Sequence, residues 1–315
     1  MIRLVLILFV VLILSSSCEK NDLSVVKTVS YEIVSLESVI LIGEVINQSG
    51  GVVTKRGFYW GTNPEPTLND NCSENDNGPG TFTQKITVNY GQEYFFRSYA
   101  IDASGTQFGR VLSFKPEIKP VSGTMIDTRN WKIYATVKIN DQTWMAENLA
   151  FLPSVSPHYS GSATDPFYYV YDYEGSSVAD AKATDNFDTY GVLYNWEAAK
   201  TACPSGWHLP TEGEWTILTD YLGSSAGNFM KESGTKHWEG PNTGATNASR
   251  FKALPGGARY YRWGFVTLGS YALFWSASEG DELNARRLCL GYNYGYVTRG
   301  YDYGDNGFSV RCLKN

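Results

Sequence analysis

Short apolar runs separated by turn-forming clusters dominate the first third of the chain. Between Val29 and Phe114 the runs are too short for typical helices, and polar segments rich in Asn, Gly and Pro separate them. Such spacing is typical of strands joined by tight turns, and it predicts an antiparallel β-sandwich. The predicted strands are residues 39–46, 52–60, 82–88, 94–101 and 108–114.

The fourth of these runs carries the clearest strand pattern. Period-two alternation places Tyr94, Phe96 and Ser98 on one face of the strand. The preceding Tyr-Gly-Gln-Glu-Tyr of residues 90–94 resembles the tyrosine-corner region of a fibronectin type III domain. The Arg-Gly-Phe-Tyr-Trp-Gly of residues 56–61 resembles related modules of multidomain bacterial surface proteins, which usually act as spacers. We therefore interpret residues 29–115 as a fibronectin type III/Ig-like β-sandwich.

The N-terminus has the pattern of an export signal. An unbroken apolar run covers residues 4–14, which is shorter than the roughly 20 residues that span a bilayer, and three serines and Cys18 follow it. A cysteine directly after small residues resembles a bacterial lipobox, although Ser15 stands where an aliphatic residue is usual. We predict a lipoprotein signal peptide at residues 1–17, a lipidated Cys18 and tether at 18–28, and an outer-membrane or cell-surface location. Ordinary secretion with an incidental cysteine is the alternative.

Composition narrows the classes of partner. Aromatic residues make up 15% of the 315 residues, charged residues 18%, and the net charge is −6 with no clustered Lys and Arg. A chain without a basic stripe lacks the electrostatic footprint of a nucleic-acid-binding protein. Membrane association is therefore expected through the lipid anchor only, and nucleic acid is not expected as a partner.

A second domain is predicted after a proline-containing linker at residues 116–123. Asn140 and Asp141 separate two short strand signals and indicate a hairpin. Residues 197–200, Glu-Ala-Ala-Lys, favour a helix that ends at Cys203. Thr211, with Glu214 three positions later, predicts a capping box that opens an amphipathic helix.

Four separated motifs in this second region resemble the Fibrobacter succinogenes major paralogous domain family. They are Gln-Thr-Trp-Met-Ala-Glu-Asn-Leu at 142–149, Tyr-Gly-Val-Leu-Tyr-Asn-Trp-Glu-Ala-Ala at 190–199 with Cys-Pro-Ser-Gly-Trp-His-Leu-Pro-Thr at 203–211, Phe-Trp-Ser-Ala-Ser at 274–278, and Gly-Phe-Ser-Val-Arg-Cys at 307–312. The resemblance covers about Thr124 to the end. It implies that residues 124–315 form an α+β C-type-lectin-like domain, of the kind that occurs in secreted and surface lipoproteins.

The cysteines divide into one predicted pair and two others. Spacing alone does not determine connectivity, but the resemblance implies a disulfide between Cys203 and Cys312 that closes the long loop of the domain. Cys289 lies in an apolar strand-like segment, and we interpret it as a buried small hydrophobic residue. Cys72 lies in a polar loop and is assigned no partner.

Residue patterns for metal-dependent or hydrolytic chemistry are missing from the sequence. The three histidines, His158, His208 and His237, are widely separated, and no P-loop, Gly-x-Ser-x-Gly or His-Glu-x-x-His motif occurs. Glu212 and Glu214 are explained by helix capping and the helix dipole rather than by catalysis. We expect no catalytic residue and no cofactor, and a structural calcium ion is left as an alternative.

The C-terminal region is the best candidate for a binding surface. It is rich in Tyr, Asn, Arg and Gly, the residue types of antibody paratopes, and aromatic faces can also stack on sugar rings. The sequence predicts residues 292–296 as a strand with three tyrosines on one face, and Tyr301 and Tyr303 as loop residues. Cross-strand tyrosine packing is an equally open interpretation of the strand tyrosines. The candidate ligand-binding residues are Tyr261, Trp263, Tyr292, Asn293, Tyr294, Tyr296, Arg299, Tyr301 and Tyr303.

These features together favour a non-catalytic, surface-displayed lipoprotein. Its lectin-like domain is expected to bind an extracellular glycan or protein ligand. The main alternative is a structural envelope component without a discrete ligand. A formylglycine-generating-enzyme-like or carbohydrate-active enzyme is a further, less favoured alternative.

Overall fold

The computed structural model describes residues 25–46 and 52–315. The predicted signal peptide and the predicted lipidation site Cys18 lie outside these residues, as does the turn cluster at 47–51. Contacts divide the described residues into two compact units. One contains residues up to Tyr31, Leu41–Gln84 and Tyr94–Phe114, and the other contains Glu32–Ile40, Lys85–Glu93 and Lys115–Asn315. Within the described residues, no helix has the length and apolar character needed to cross a membrane.

The N-terminal region is built from strands. They form one sheet in the order β1-β2-β5 and another in the order β4-β3-β6-β7, with β8 pairing to β6. The bounds are β1 Val25–Ser35, β2 Ser38–Ile46, β3 Lys55–Gly61, β4 Asn71–Cys72, β5 Gly80–Thr87, β6 Tyr94–Asp102, β7 Gly105–Phe108 and β8 Leu112–Phe114.

Aromatic side chains from both sheets fill the core of this unit. Phe58 on β3 lies 4.9 Å from Phe82 on β5, measured between ring centroids, and Phe96 on β6 is fully buried beside them. Tyr94, Phe96 and Ser98, which the alternation placed on one face of the strand, are all buried. Two sheets with an aromatic layer between them give the all-β N-terminal region its core.

Two features of this region differ from the sequence prediction. Strand β1 begins at Val25, inside the segment expected to be a tether, because Val26 and Thr28 turn inward and are buried. The predicted strand at 108–114 is two strands, β7 and β8. Gly109 separates them at a close approach, since a Cβ there would lie 2.4 Å from the Thr28 hydroxyl oxygen.

The part of the second unit from Lys115 to Asn315, which we call the C-terminal unit, begins with an antiparallel sheet in the order β14-β20-β11-β10-β9. Its first strand, β9, starts at Val121, within the predicted linker, because residues 121–127 pair with β10 along its length. The predicted hairpin is confirmed, with Ile139 paired to Gln142 across Asn140 and Asp141. The bounds are β9 Val121–Asp127, β10 Lys132–Ile139, β11 Gln142–Met145, β14 Trp207–His208 and β20 Leu313–Lys314.

Short helices pack beside this sheet. Thr211 and Glu214 form the predicted capping box at the start of the longest one, and the helix expected before Cys203 ends at Ala202. Asn195 caps that helix by accepting a hydrogen bond from the Ala198 amide. The bounds are α1 Val178–Lys182, α2 Asp185–Tyr190, α3 Trp196–Ala202, α4 Glu212–Leu222 and α5 Ala226–Met230.

The remaining strands form a second sheet and two small hairpins. The sheet has the order β17-β18-β19, while β12 pairs with β13 and β15 pairs with β16. The bounds are β12 Tyr168–Tyr169, β13 Leu193–Tyr194, β15 Ala258–Tyr260, β16 Gly264–Val266, β17 Tyr271–Glu279, β18 Asn284–Gly291 and β19 Thr298–Tyr303.

The four motifs noted in the sequence meet in the interior of this unit. Trp275 donates its indole N–H to the Tyr194 carbonyl at 2.7 Å. The guanidinium of Arg311 is fully buried and donates to the Asn148 side-chain oxygen at 2.8 Å. Burial lowers the pKa of Arg311 to about 9. Since these residues come from all parts of the domain, their hydrogen bonds fix the core rather than a ligand site.

The predicted disulfide is confirmed. Cys203 directly follows α3, and it is bonded to Cys312, 109 residues away and just before β20. Closing a loop of this length stabilises the fold by up to about 4.7 kcal/mol in the chain-entropy model. Cys289 is buried, as expected, and Cys72 is exposed; both are free thiols.

Candidate functional site

The structure reverses the predicted conformation of the C-terminal tyrosines. Tyr292, Tyr294 and Tyr296 lie in the loop between β18 and β19, whereas Tyr301 and Tyr303 lie on β19. Strand β18 ends at Gly291, and the ring of Tyr294 packs directly over this glycine. A side chain at position 291 would collide with the ring, because its Cβ would lie 2.4 Å from it. The prediction of a strand at 292–296, with loop residues at 301 and 303, is therefore wrong.

The loop between the two strands is held from inside the protein. Lys231 is fully buried, and its ammonium donates to the carbonyl oxygens of Thr243, Gly291 and Tyr294 at 3.0, 3.0 and 2.8 Å. Burial lowers the pKa of Lys231 to about 8. Tyr294 stacks on Tyr296 with 4.5 Å between ring centroids.

Two of the tyrosines in this loop pack against the protein and are therefore poor candidates for ligand contact. Tyr292 packs against a buried cluster that includes Leu288 and Leu290 of β18, and its backbone bonds to Ser270 and Thr243. Tyr294 is partly buried. Asn293 and Tyr296 are the exposed members of the loop.

The exposed face of β19 presents Arg299, Tyr301 and Tyr303. Arg286, on the neighbouring β18, lies over the Tyr301 ring with 4.5 Å between guanidinium carbon and centroid. Arg299 approaches the Glu212 carboxylate at 3.5 Å. Glu212 is thus engaged by arginines at the start of α4, which fits the structural role assigned to it from sequence.

A cleft forms where the β15–β16 hairpin meets the end of β19. Its volume is about 440 Å³, and it is lined by residues Tyr260 to Trp263 with Tyr303, Asp305 and Asn306. Three of the candidate binding residues, Tyr261, Trp263 and Tyr303, come together here although about 40 residues separate the two segments in sequence. The aromatic rings leave large exposed areas, and Trp263 is 74% exposed.

The hairpin turn explains why these rings face outward. Residues 261–263 form the turn between paired Tyr260 and Gly264, and Gly264 adopts a φ of 72°. Glycine takes this left-handed conformation without steric cost. A three-residue turn leaves the side chains of Tyr261, Arg262 and Trp263 exposed at the tip, where no strand partner covers them.

A buried ion pair supports the cleft from below. Arg259 is fully buried, and its guanidinium lies 3.0 Å from the Asp305 carboxylate. It also donates to the carbonyl oxygens of His158 and Ser160. The Tyr261 ring lies over this guanidinium at 5.7 Å. These contacts join the hairpin to the segment that follows β19, so the cleft is preorganised by the fold.

Behind the aromatic rings lie the Tyr260 hydroxyl and the side chains of Asn306 and Asp302. Burial, reinforced by the nearby Asp302, raises the pKa of Tyr260 to about 12, so its hydroxyl stays neutral at ordinary pH. Asn306 donates to Asp302, and Asp302 accepts from Arg287 at 2.7 Å. The cleft therefore offers neutral hydrogen-bonding groups beside aromatic faces.

The histidines are not gathered into a metal site. Each pairs with a separate glutamate: His158 with Glu174, His208 with Glu214 at 2.9 Å, and His237 with Glu232 at 2.7 Å. In the described part of the chain, no group of three or more His, Cys, Asp or Glu side chains is arranged to hold a metal ion.

Sequence reasoning had omitted part of the cleft. Tyr260, Arg262, Asp305 and Asn306 line it but were not among the candidate residues. Arg262 lies between two candidates in the same turn, which is a signal that could have included it. Asp305 reaches the cleft in contact with Arg259, 46 positions away, and no local pattern reveals that contact.

Comparison with known proteins identifies a family. Residues 137–314 match the family model described as the Fibrobacter succinogenes major domain. No curated protein matches the chain.

Proposed function

The chain belongs to the Fibrobacter succinogenes major domain family, and from that premise we propose that it is a non-catalytic, surface-displayed lipoprotein that binds an extracellular ligand. The ligand, a glycan or a protein, binds the cleft between the β15–β16 hairpin and the end of β19. Acylated Cys18 anchors the chain, and the N-terminal region, a fibronectin type III/Ig-like sandwich, serves as a spacer.

The observation that carries this proposal is the composition of the cleft. Exposed aromatic rings at Tyr261, Trp263 and Tyr303 surround about 440 Å³ and lie on a support held by the Arg259–Asp305 ion pair. Exposed aromatics with a rigid base are typical of recognition surfaces, because rigid rings give contact area at low entropic cost.

The C-type-lectin-like fold is part of the same proposal. Strands β9, β10 and β11 share a sheet with β20 near the chain's end, and a disulfide links the end of α3 to that last segment. The family membership supports this arrangement as the lectin-like scaffold from which the cleft residues project.

Ligand capture is tested with the full chain, purified in detergent, on arrays of glycans and of extracellular proteins. The Trp263→Ala and Tyr303→Ala variants are compared with Trp131→Ala. Trp131 is a matched control because it is 75% exposed, against 74% for Trp263, and lies at the β9–β10 turn. Signal that is lost in the first two variants and kept in the control supports the proposal. Signal unchanged by Trp263→Ala, or no signal at all, contradicts it.

A structural envelope role is the second candidate, and one surface favours it. Ile126 and Ile133 are exposed cross-strand neighbours on β9 and β10, and Trp131 lies at the turn beside them. Exposed apolar clusters of this kind promote association. Reduced self-association of Trp131→Ala in sedimentation velocity, together with empty arrays, would favour this role.

We propose no enzymatic role. Cys203 and Cys312 are joined in a disulfide, and of the free thiols Cys289 is buried. Cysteine-based chemistry of the formylglycine-generating type would need an accessible thiol pair, and this arrangement does not favour it.

A further inference from the structure

The carboxylates at the cleft are paired with arginines of the protein, whereas, among the described residues, one arginine at its opening is not paired with a carboxylate. Asp305 is the single carboxylate among the lining residues in the described part of the chain, and it is already neutralised by buried Arg259 at 3.0 Å. Asp302, behind the cleft, is paired with Arg287 at 2.7 Å. The acidic groups near the cleft are therefore occupied by cations of the protein itself.

Arg262 differs from these arginines. It is exposed at the tip of the β15–β16 turn between Tyr261 and Trp263, and it makes no ion pair within residues 25–46 and 52–315. The cleft thus has one uncompensated positive charge at its opening, in a chain whose formal net charge is −6. A free guanidinium presents a planar fork that matches a carboxylate.

We propose that the cleft selects an acidic glycan, one whose sugar rings carry carboxylates, as in a uronic acid oligomer; this inference rests on the proposed ligand-binding function. The apolar face of a sugar ring stacks on Trp263 or Tyr303, and the ring carboxylate receives two hydrogen bonds from Arg262. The neutral Tyr260 hydroxyl lines the same cleft and is expected to pair with a sugar hydroxyl.

The same geometry argues against a neutral glycan as the preferred ligand. The hydroxyl groups of a neutral sugar gain little from the lining carboxylate of Asp305, because that carboxylate is engaged with Arg259. Among the described residues that line the cleft, Arg262 is the cation, so we expect it to set the specificity for a charged ring substituent.

The experiment uses matched probes and isothermal titration calorimetry on the full chain in detergent. Oligomers of galacturonic acid, of mannuronic acid and of hyaluronan are each compared with their methyl esters, which keep the rings and remove the charge. Wild type is expected to bind at least one acid about tenfold more tightly than its ester, with affinity falling as salt is raised.

Substitutions assign the effect to Arg262. Arg262→Gln is expected to lower affinity for the acid about tenfold and to leave the ester unchanged, with Arg262→Lys intermediate because lysine lacks the fork. Lys236→Gln is the control, since Lys236 is an exposed cation of the same unit that does not line the cleft, and it is expected to change neither affinity.

The outcomes separate this inference from the function on which it rests. Equal binding of acids and esters, with both lost in Trp263→Ala, overturns the acidic selectivity and leaves the ligand-binding function standing. Binding of a sulfated neutral-sugar oligomer or of oligoglutamate, but of no uronic acid oligomer, also overturns the inference. Failure of every glycan and protein probe overturns both.

Discussion

The guanidinium of Arg259 and the carboxylate of Asp305 form an ion pair at 3.0 Å directly beneath the aromatic cleft. Their side chains are 0% and 10% exposed, so the pair is largely shielded from water. Arg259 precedes the hairpin turn and Asp305 follows β19, and the two residues are 46 positions apart. Together with the backbone bridge between Arg259 and Gly307, this contact joins the two walls of the cleft.

Removal of the negative partner should destabilise the C-terminal unit. Asp305→Asn leaves a buried guanidinium without its countercharge, and the expected loss is about 3 kcal/mol of unfolding free energy. Urea unfolding followed by tryptophan fluorescence measures this loss. Glu74→Gln, in the exposed Lys55–Glu74 pair, is expected to cost less than about 1 kcal/mol. Equal effects of the two substitutions would contradict the role assigned to the buried pair.

Lys231 is expected to serve as the internal cation of the β18–β19 loop. Lys231→Met removes the donor to three carbonyl oxygens, and leaving buried acceptors unpaired should cost about 2–3 kcal/mol. Calorimetry should show a lower melting temperature for the variant. EDTA should leave the wild-type melting temperature unchanged, because the Lys231 ammonium group already bridges these carbonyls. A large shift with EDTA would instead support the alternative of a structural calcium ion.

The capping box should make stability depend on acid pH. Burial alone would raise the pKa of Glu214, but hydrogen bonds from Thr211 and His208 outweigh it and hold the pKa below its ordinary value. A carboxyl with a depressed folded-state pKa stabilises above its unfolded-state pKa and loses this contribution as pH falls through the folded-state value.

Glu214→Gln tests this dependence. Glutamine can still cap, so the substitution removes mainly the charge, and wild type should exceed the variant by about 0.5–1 kcal/mol near neutral pH. The difference should shrink as pH falls below about 4.5. Glu282→Gln, an exposed carboxylate of the same unit, provides the baseline. A difference that is constant from neutral pH to about pH 3 would show that the charge of Glu214 does not contribute.

The cysteines should separate into three classes in chemical mapping. Non-reducing peptide mapping should recover Cys203 and Cys312 as one linked pair. Maleimide should label exposed Cys72 in the folded chain, and it should label buried Cys289 only after denaturation. Reduction of the disulfide should lower stability by up to about 4.7 kcal/mol. Labelling of Cys203 or Cys312 without reductant would contradict the structure.

Several parts of the fold could be predicted because their determinants are close in sequence. The capping box needs only Thr211 and Glu214, three residues apart, and the hairpin at Asn140 and Asp141 needs only two flanking strand patterns. The Cys203–Cys312 pair spans 109 residues, and it was accessible only because the surrounding motifs resemble a family. Spacing alone left its connectivity open.

The candidate site could be predicted only in part. The sequence identified the residue types and the two segments, since Tyr, Trp, Asn and Arg concentrate near the C-terminus and at 259–263. The sequence prediction put the strand at residues 292–296 instead of at β19. The tyrosines at 292–296 and those at 301 and 303 both recur at every second position, so the local pattern does not distinguish the two segments. The structure instead holds the loop through Lys231, which donates to the carbonyls of Gly291 and Tyr294, 60 and 63 positions away in sequence.

By itself, the sequence determined the strand-rich character of the chain, the capped helix and the set of aromatic residues available for binding. These properties depend on periodicity and on hydrogen bonds between residues a few positions apart. Only the tertiary structure decided which aromatics share a cleft and which fill the protein, through the contacts of Arg259 with Asp305 and of Lys231 with its three carbonyls. Such contacts join distant segments, and they form only once the core has packed and excluded water from the charged groups.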